Sequence, residues 1–385
     1  MLPRDRATVF GAVFFGAVPS GAALLMAARL GAAPVGGPRV VAARPDTTAA
    51  WSPEVARRTV RRPRVGPRFT NPALGESSGL AASARVPGLL WTLNDSGAEP
   101  ELFAVAASDG RVLGRVRVTG ARNVDWEAVA LGPCAASPGG CLYVGDVGDN
   151  AARRPGVTLY RVPEPLGTSA EPQPAGRAAA RRALGRLRLP RATAPAESLV
   201  VRYPDGPRDV EAMGVLPSGA TWLITKRPLR RPDGTARPAL IYEVPAAAWT
   251  AAAAARGSTN GPVTARLVDS LPLVPDGTIT HQVTDAALDA ARGVLAVRTY
   301  TAVYLVPVAG PPSGAPRWRV DYTRRATACD VAVLREPQGE GVTFAPGSVR
   351  PESGLTEPGL TLVLSSESNV LGPGGLATAG CPAPE

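Results

Sequence analysis

Polar, tiny and apolar positions recur in one order along this chain. Glu76-Ser-Ser-Gly-Leu-Ala81, Asp125-Trp-Glu-Ala-Val-Ala130, Asp209-Val-Glu-Ala-Met-Gly214, Val283-Thr-Asp-Ala-Ala-Leu288 and Gln338-Gly-Glu-Gly-Val-Thr343 align in register. The third position is acidic in four of the five, the fourth is Gly or Ala in all, and the fifth is apolar, a bare Ala in the fourth copy. A polar residue, a tiny one and then an apolar one predict a strand that starts at a crowded place and runs into a core.

Each motif is followed by an apolar run ending in polar residues: Leu89–Asp95, Cys141–Asp146, Thr221–Lys226, Val294–Thr299 and Thr361–Ser366. A third run follows in four units, Leu102-Phe-Ala-Val105, Leu159-Tyr-Arg-Val162, Ile241-Tyr-Glu-Val244 and Val303-Tyr-Leu-Val306. The aromatic is second and the Val fourth each time, so both face one side of a strand. A fourth run reads as Val112–Val118, Glu197–Arg202, Val263–Val268 and Arg317–Val320. Four antiparallel strands per repeated unit predict an all-β fold, a β-propeller.

The motifs start at 76, 125, 209, 283 and 338. A blade needs about 40–50 residues, so the longer steps carry insertions. Leu166 to Pro195, with an Ala/Arg run that suits a short helix, and Ala246 to Gly261 read as loops. Five blades fit the count, with six as the alternative. The fifth unit lacks an aromatic-x-Val strand, and Thr59 to Phe69 are the candidates to complete it from the other end of the chain. A doubly wound α/β fold would need amphipathic helices between strands, which most gaps lack. A β-sandwich would not explain the repeated order of motifs.

Composition fits short strands joined by turns. Gly (42) and Pro (41) are 83 of 385 residues, with 45% hydrophobic, roughly twice the average Gly and Pro share. The net charge of +10 is carried by arginine, with Lys226 the only lysine. The basic clusters, Arg57 to Arg68 and Arg177 to Arg191, lie in Pro/Ala-rich stretches without interleaved aromatics. They read as solvated linker and loop charge rather than a nucleic-acid face.

At the amino terminus Arg4 and Arg6 precede Ala7 to Ala28, 22 residues without a charge. Two readings stand: a signal peptide cleaved near Gly31-Ala-Ala33, or an uncleaved signal anchor. Either places the rest of the chain outside the cytoplasm, secreted or tethered. Residues 34–63 read as a Pro/Ala/Arg-rich linker and 64–385 as the propeller, a monomer touching membrane only through its leading segment. The four cysteines agree with export: Cys134 with Cys141, and Cys329 with Cys381, are expected as disulfides, each contributing ~2–4 kcal/mol. Neither pair has a histidine at zinc spacing; His281, the only one, reads as a turn or surface residue.

Glu76-Ser-Ser-Gly-Leu80, Trp91-Thr-Leu-Asn-Asp-Ser-Gly97, Asp125–Ala130, Leu142-Tyr-Val-Gly-Asp-Val-Gly-Asp-Asn150 and Gln338-Gly-Glu-Gly-Val342 resemble exported bacterial β-propellers. They are similar to the families labelled phytase-like or "esterase-like activity of phytase". The resemblance spans about residues 64 to 370 and is specific to a group, not to a reaction. It implies acidic side chains at a channel mouth that hold calcium ions, which bind substrate phosphate and activate water. Asp125, Glu127, Asp209 and Glu211 match the acidic motif positions; Asn94, Asp95, Asp146, Asp149 and Asn150 match the polar loops. The phosphate-binding lysines and arginines of true phytases have no counterpart that can be placed.

Physical reasoning reaches the same region. If motif strands line an axis, their starts and the ends of the second strands meet around one opening. That gathers Asn94, Asp95, Asp125, Glu127, Asp146, Asp149, Asn150, Asp209, Glu211, Asp285, Glu340 and Glu367, with Lys226 and Arg298 as counter-charges. So many carboxylates repel unless paired with cations, and calcium, a hard ion wanting six to eight oxygens, suits them. The competing reading has these acids bonding backbone amides between blades. No nucleophile constellation is present: His281 stands alone and no Gly-x-Ser-x-Gly occurs in strand–turn–helix context. The sequence points to a binding module with an acidic, calcium-binding mouth and an unidentified small-molecule or protein ligand. The alternative is a calcium-dependent phosphoester or ester hydrolase.

Overall fold

The structure, a computed structural model, describes residues 61–384 apart from 136, 168–176, 227–237, 255–260, 272, 274–281, 315–316 and 346–358. The expected leading segment, most of the linker and His281 lie outside the described residues. The repeats fold as five small antiparallel sheets. Blade one is β2 (Ser77–Ala82), β3 (Leu89–Asn94), β4 (Glu101–Ala106) and β5 (Val112–Arg117). Blade two is β6 (Trp126–Cys134), β7 (Ser137–Asp146), β8 (Val157–Pro163) and β9 (Glu197–Arg202). Blade three is β10 (Val210–Val215), β11 (Thr221–Thr225), β12 (Ala239–Val244) and β14 (Arg266–Leu271). Blade four is β15 (Val283–Asp289), β16 (Val294–Thr299) and β17 (Ala302–Ala309), with β18 (Arg319–Val320) and β19 (Thr327–Asp330) sharing its outer edge. Blade five is β20 (Gln338–Phe344), β21 (Gly359–Glu367) and β22 (Gly375–Pro382), completed by β1 (Arg61–Arg68), which pairs antiparallel with β22. The chain is a five-bladed β-propeller, and its closing strand comes from the stretch the sequence nominated.

The motif strands β2, β6, β10, β15 and β20 pack side by side in a closed ring around the axis. Alternation along the third strands then sets the contacts between blades. Phe103 and Val105 face blade five, Tyr160 and Val162 face blade one, and Tyr242 and Val244 face blade two. Tyr304 and Val306 face blade three. Residues of opposite parity on these strands, Ala104, Ile241 and Leu305 among them, face the following blade. Each blade is thus apolar on both sides and buried by its neighbours, which is why its strands read as near-continuous apolar runs.

Every inner strand departs from regular pairing near its motif. Glu127 is the extra residue between the Trp126–Asp146 and Ala128–Gly145 pairs, and Glu211 between Val210–Thr225 and Ala212–Ile224. Shifts also fall between Ser78 and Ala81, and between Gly339 and Val342. In blade four the extra residue is Thr284, and Asp285 pairs with Arg298. The fourth copy of the motif is therefore one residue out of register as aligned by sequence. Thr284 holds the place of Glu127 and Glu211, and Asp285 holds the place of the tiny residue.

The tiny residues sit where inner strands meet. A Cβ on Gly79 would lie 2.7 Å from the Val129 nitrogen, at a φ of +69°. Crowding and left-handed backbone both oppose a side chain. Gly79→Ala is expected to lower stability by about 2 kcal/mol or more, read as a lower urea midpoint at unchanged slope; an unaltered midpoint would contradict the close approach.

Some expectations need correction. Val263–Thr264 (β13) pairs parallel with β9 of blade two, and only the later residues serve blade three. The outer edge of blade four is split, and β19 was not legible as a strand. The Ala/Arg run does form a helix, α1 (Arg177–Arg186). Within the stretch read as a loop after Pro245, Ala247–Ala254 form a second helix (α2) that seats Trp249 against Tyr143, with rings 5.6 Å apart. The closing strand spans Arg61–Arg68 among the described residues. Both disulfides form, Cys134–Cys141 within the β6–β7 hairpin and Cys329–Cys381 joining β19 to β22. Among the described residues no helix is long and apolar enough to cross a membrane.

Candidate functional site at the axial mouth

Each blade begins at its inner strand and steps outward, so the five inner strands run the same way and their starts share one face. In four of the five blades the third motif residue, Ser78, Glu127, Glu211 or Glu340, reaches one cluster there. Ser78 Oγ donates to Glu127 Oε2 at 3.0 Å, Glu127 hydrogen-bonds Asp125 and Glu211, and Lys226 Nζ pairs with Glu211 Oε1 at 2.7 Å. Glu340, on the next blade but one, has Glu367 and Glu211 as electrostatic neighbours, and its Oε1 accepts from Gln338 Nε2 at 2.9 Å. Its Oε2 is buried without a partner, as is Asp209 Oδ2. Glu367 in turn faces Asp95 and Glu76.

The electrostatics follow from burial and crowding. Burial, then Glu211 and Asp125, holds the Glu127 carboxyl well above the usual range. Burial, then Glu367 and Glu211, does the same to Glu340. Glu367 is pushed up to about 8 by burial, Asp95 and Glu76. Burial and then Glu76 raise Asp95 to about 7. Burial raises Glu211 to about 7 although Lys226 pulls against it. Asp125 is raised chiefly by burial. Burial opposes the charge on Lys226, but Glu211 outweighs it and the ammonium is held more firmly than usual.

Of the residues named from sequence, the mouth gathers Asp95, Asp125, Glu127, Asp209, Glu211, Lys226, Glu340 and Glu367. Others sit elsewhere. Asp146 accepts from the Val124 and Asp125 amides and pairs with Arg154 at 2.8 Å. Asp149 caps its own loop, accepting from the Arg153 and Arg154 amides at 2.9 and 2.7 Å. Asn150 is exposed on that loop. Asn94 accepts from the Glu76 amide and donates to Ala73 O, fixing the turn before β2. Asp285 and Arg298 are fully buried within the ring rather than at its opening. Asp285 Oδ2 accepts from the Leu80 and Val342 amides at 3.1 and 2.8 Å, tying blade four to blades one and five. Arg298 Nη1 donates to Gly341 O and Ser365 O at 2.6 and 2.7 Å, and Nη2 pairs with Glu336. The register slip accounts for Asp285: moved one residue along, its acidic side chain points into the ring toward blades one and five, not out of it.

Sequence reasoning left out Glu76, Ser78 and Tyr300. Glu76 had a signal, since it holds the motif position of Asp125 and Asp209. Tyr300 follows β16 as Lys226 follows β11, and its hydroxyl faces Glu340, Lys226, Glu211 and Glu367. Nothing in its own sequence neighbourhood marks it.

Among the described residues no group of three or more His, Cys, Asp or Glu is disposed as a ready metal-ligand set. The cluster is chemically suited to attract positive charge and to share protons.

No family model matches the chain, and no curated protein matches it. Solved structures do show likenesses. A protein from Thermus thermophilus described as an oxidoreductase (glucose dehydrogenase) is 14% identical over 82% of this chain and 85% of its own, with a TM-score of 0.36. A luciferin-regenerating enzyme is 10% identical over 83% of this chain and 97% of its own, with a TM-score of 0.39. A gluconolactonase from Xanthomonas campestris is 13% identical over 84% of this chain and 95% of its own, with a TM-score of 0.32. At such scores these likenesses carry no conclusion about activity, and the five-bladed propeller stands on its own strand pairing.

Proposed function

We propose that this protein is a binding module whose acidic axial mouth takes up a cation. The observation that carries the reading is Glu340, only 3% exposed, with Oε2 unpartnered beside Glu367 and Glu211. A buried acceptor left open among like charges favours a positive ligand. Calcium is the first candidate ion, because every donor here is a hard oxygen. Glu340, Glu367 and Glu211 are the residues that would hold it, although they are not preassembled as a ligand set. Placement outside the cytoplasm is part of the same reading and is supported by the two disulfides.

A phosphoester hydrolase would need basic side chains beside the acids. Among the described residues near the mouth, Lys226 and Arg154 are already paired with Glu211 and Asp146. No observation favours that alternative.

Calorimetric titration of chelator-treated protein with calcium chloride, and separately with arginine amide, tests the reading. At least one is expected to bind, and Glu340→Gln with Glu367→Gln is expected to weaken that binding tenfold or more. Absence of binding by both cations, or binding indifferent to the two substitutions, would overturn it.

A further inference from the structure

The rim beside this mouth carries apolar side chains that nothing covers. β21 ends at Glu367, and the chain then turns between the segments leading into β20 and β2. The Ser368 amide donates to Gly75 O at 2.7 Å, and Asn369 Nδ2 donates to Pro337 O at 2.6 Å. Asn369 and Gly372 close a tight bridge with mutual backbone hydrogen bonds. At its tip Val370 and Leu371 are 101% and 79% exposed. A single exposed apolar side chain is ordinary. Two in sequence, held out on a hydrogen-bonded turn beside buried carboxylates, form an apolar edge on a charged pit.

The charge at the mouth is also lopsided. Lys226 is committed to Glu211 on blade three. On the side of blades five and one, Glu340, Glu367, Glu76 and Asp95 have no ion-pair partner among the described residues, and Glu340 Oε2 has no hydrogen-bond partner. That is the side on which the Val370–Leu371 turn stands. Negative charge in the pit and apolar surface on its lip complement a partner with the opposite arrangement. A guanidinium offers five donors in a rigid planar fork that can engage each of two carboxylates bidentately, whereas an ammonium acts as a compact, strongly hydrated point charge.

We propose that this half of the mouth receives a protein segment bearing one arginine between apolar residues. The guanidinium is then the cation of that reading and meets Glu340 and Glu367 in competition with calcium, while the flanking side chains lie on Val370 and Leu371. The proposal rests on the cation-binding reading above and adds the class of partner.

Calorimetry with two defined tripeptides tests it: acetyl-Leu-Arg-Val-amide and acetyl-Ser-Arg-Ser-amide, against the full chain and its Val370→Ser/Leu371→Ser variant. The apolar-flanked peptide is expected to bind at least tenfold more tightly. The double substitution is expected to erase that preference while leaving the Ser-flanked affinity and the melting temperature unchanged. Equal affinities, or a preference that survives the double substitution, overturn the proposal. If neither peptide binds while calcium or arginine amide does, the partner class falls and the cation reading stands; if nothing binds, both fall. A concentration-dependent dimer lost in the double variant would place a second copy of the chain on the turn, and would also overturn it.

Discussion

Arg298→Met is expected to lower unfolding stability by about 3–5 kcal/mol. The guanidinium is fully buried, yet it serves three acceptors on the neighbouring blade: Gly341 O, Ser365 O and the Glu336 carboxylate. Methionine fills much of the same volume but leaves two carbonyls without a donor and a carboxylate without its counter-charge. The loss comes from what stays behind. Glu336→Gln in the same chain should therefore recover part of it, on the order of 1–2 kcal/mol. Urea unfolding at constant slope measures both. If Arg298→Met alone is neutral, the buried ion pair is not holding blades four and five together.

Stability should fall, not rise, between pH 5 and pH 9. Folded Glu367 titrates at about 8, and Asp95 and Glu211 at about 7, all pushed up by burial first. In the unfolded chain each returns to its ordinary value near 4. Below that, both states hold the protons and folding bears no charge cost. From there to about pH 8 the unfolded chain releases protons that the folded chain keeps, so the slope of stability against pH is negative. Above pH 8 the folded mouth must carry the charges, and the penalty is complete. Three shifts of this size, discounted because they share the same mutual repulsion and because water screens the partly exposed Asp95, give a loss on the order of 3–5 kcal/mol. Lys226, beside Glu211, favours the ionised form of that carboxyl and tempers the loss as it ionises. Thermal melts in chelator across this range read the effect, and Glu340→Gln with Glu367→Gln should flatten it. A melting temperature that climbs steadily to pH 9 would mean that the carboxyls are solvated rather than crowded.

The fold was legible because its grammar is periodic. Second-position aromatics and fourth-position valines mark one face of each third strand, and that face is where neighbouring blades touch. The closing strand was legible by elimination, since the fifth unit is one strand short. Bulges were not legible. An extra residue at Glu127 or Glu211 leaves the sequence looking like ordinary alternation, and only pairing shows which residue lacks a partner opposite. In blade four the same ambiguity misplaced Asp285 by one position. One position was enough to turn a supposed mouth residue into an internal brace. α2 was missed because Ala247–Ala254 is apolar all round and carries no amphipathic stripe; its anchor is one tryptophan. Glu76 could have been taken from its motif position, whereas Tyr300 depended on the turn that carries it.

The closing blade draws β1 from one end of the folded chain and β22 from the other, and the Cys329–Cys381 bridge fastens β22 to blade four. The two seams flanking blade five are therefore unequal. One is sewn covalently, and the other relies on side-chain packing and the hydrogen bonds between blades. Should β1 peel away, the circle gapes on the side of blade one, and blade five stays hinged to blade four. Glu340 and Glu367 would then swing away from Asp95 and Glu76, so the integrity of the ring and the concentration of charge at its opening rise and fall together.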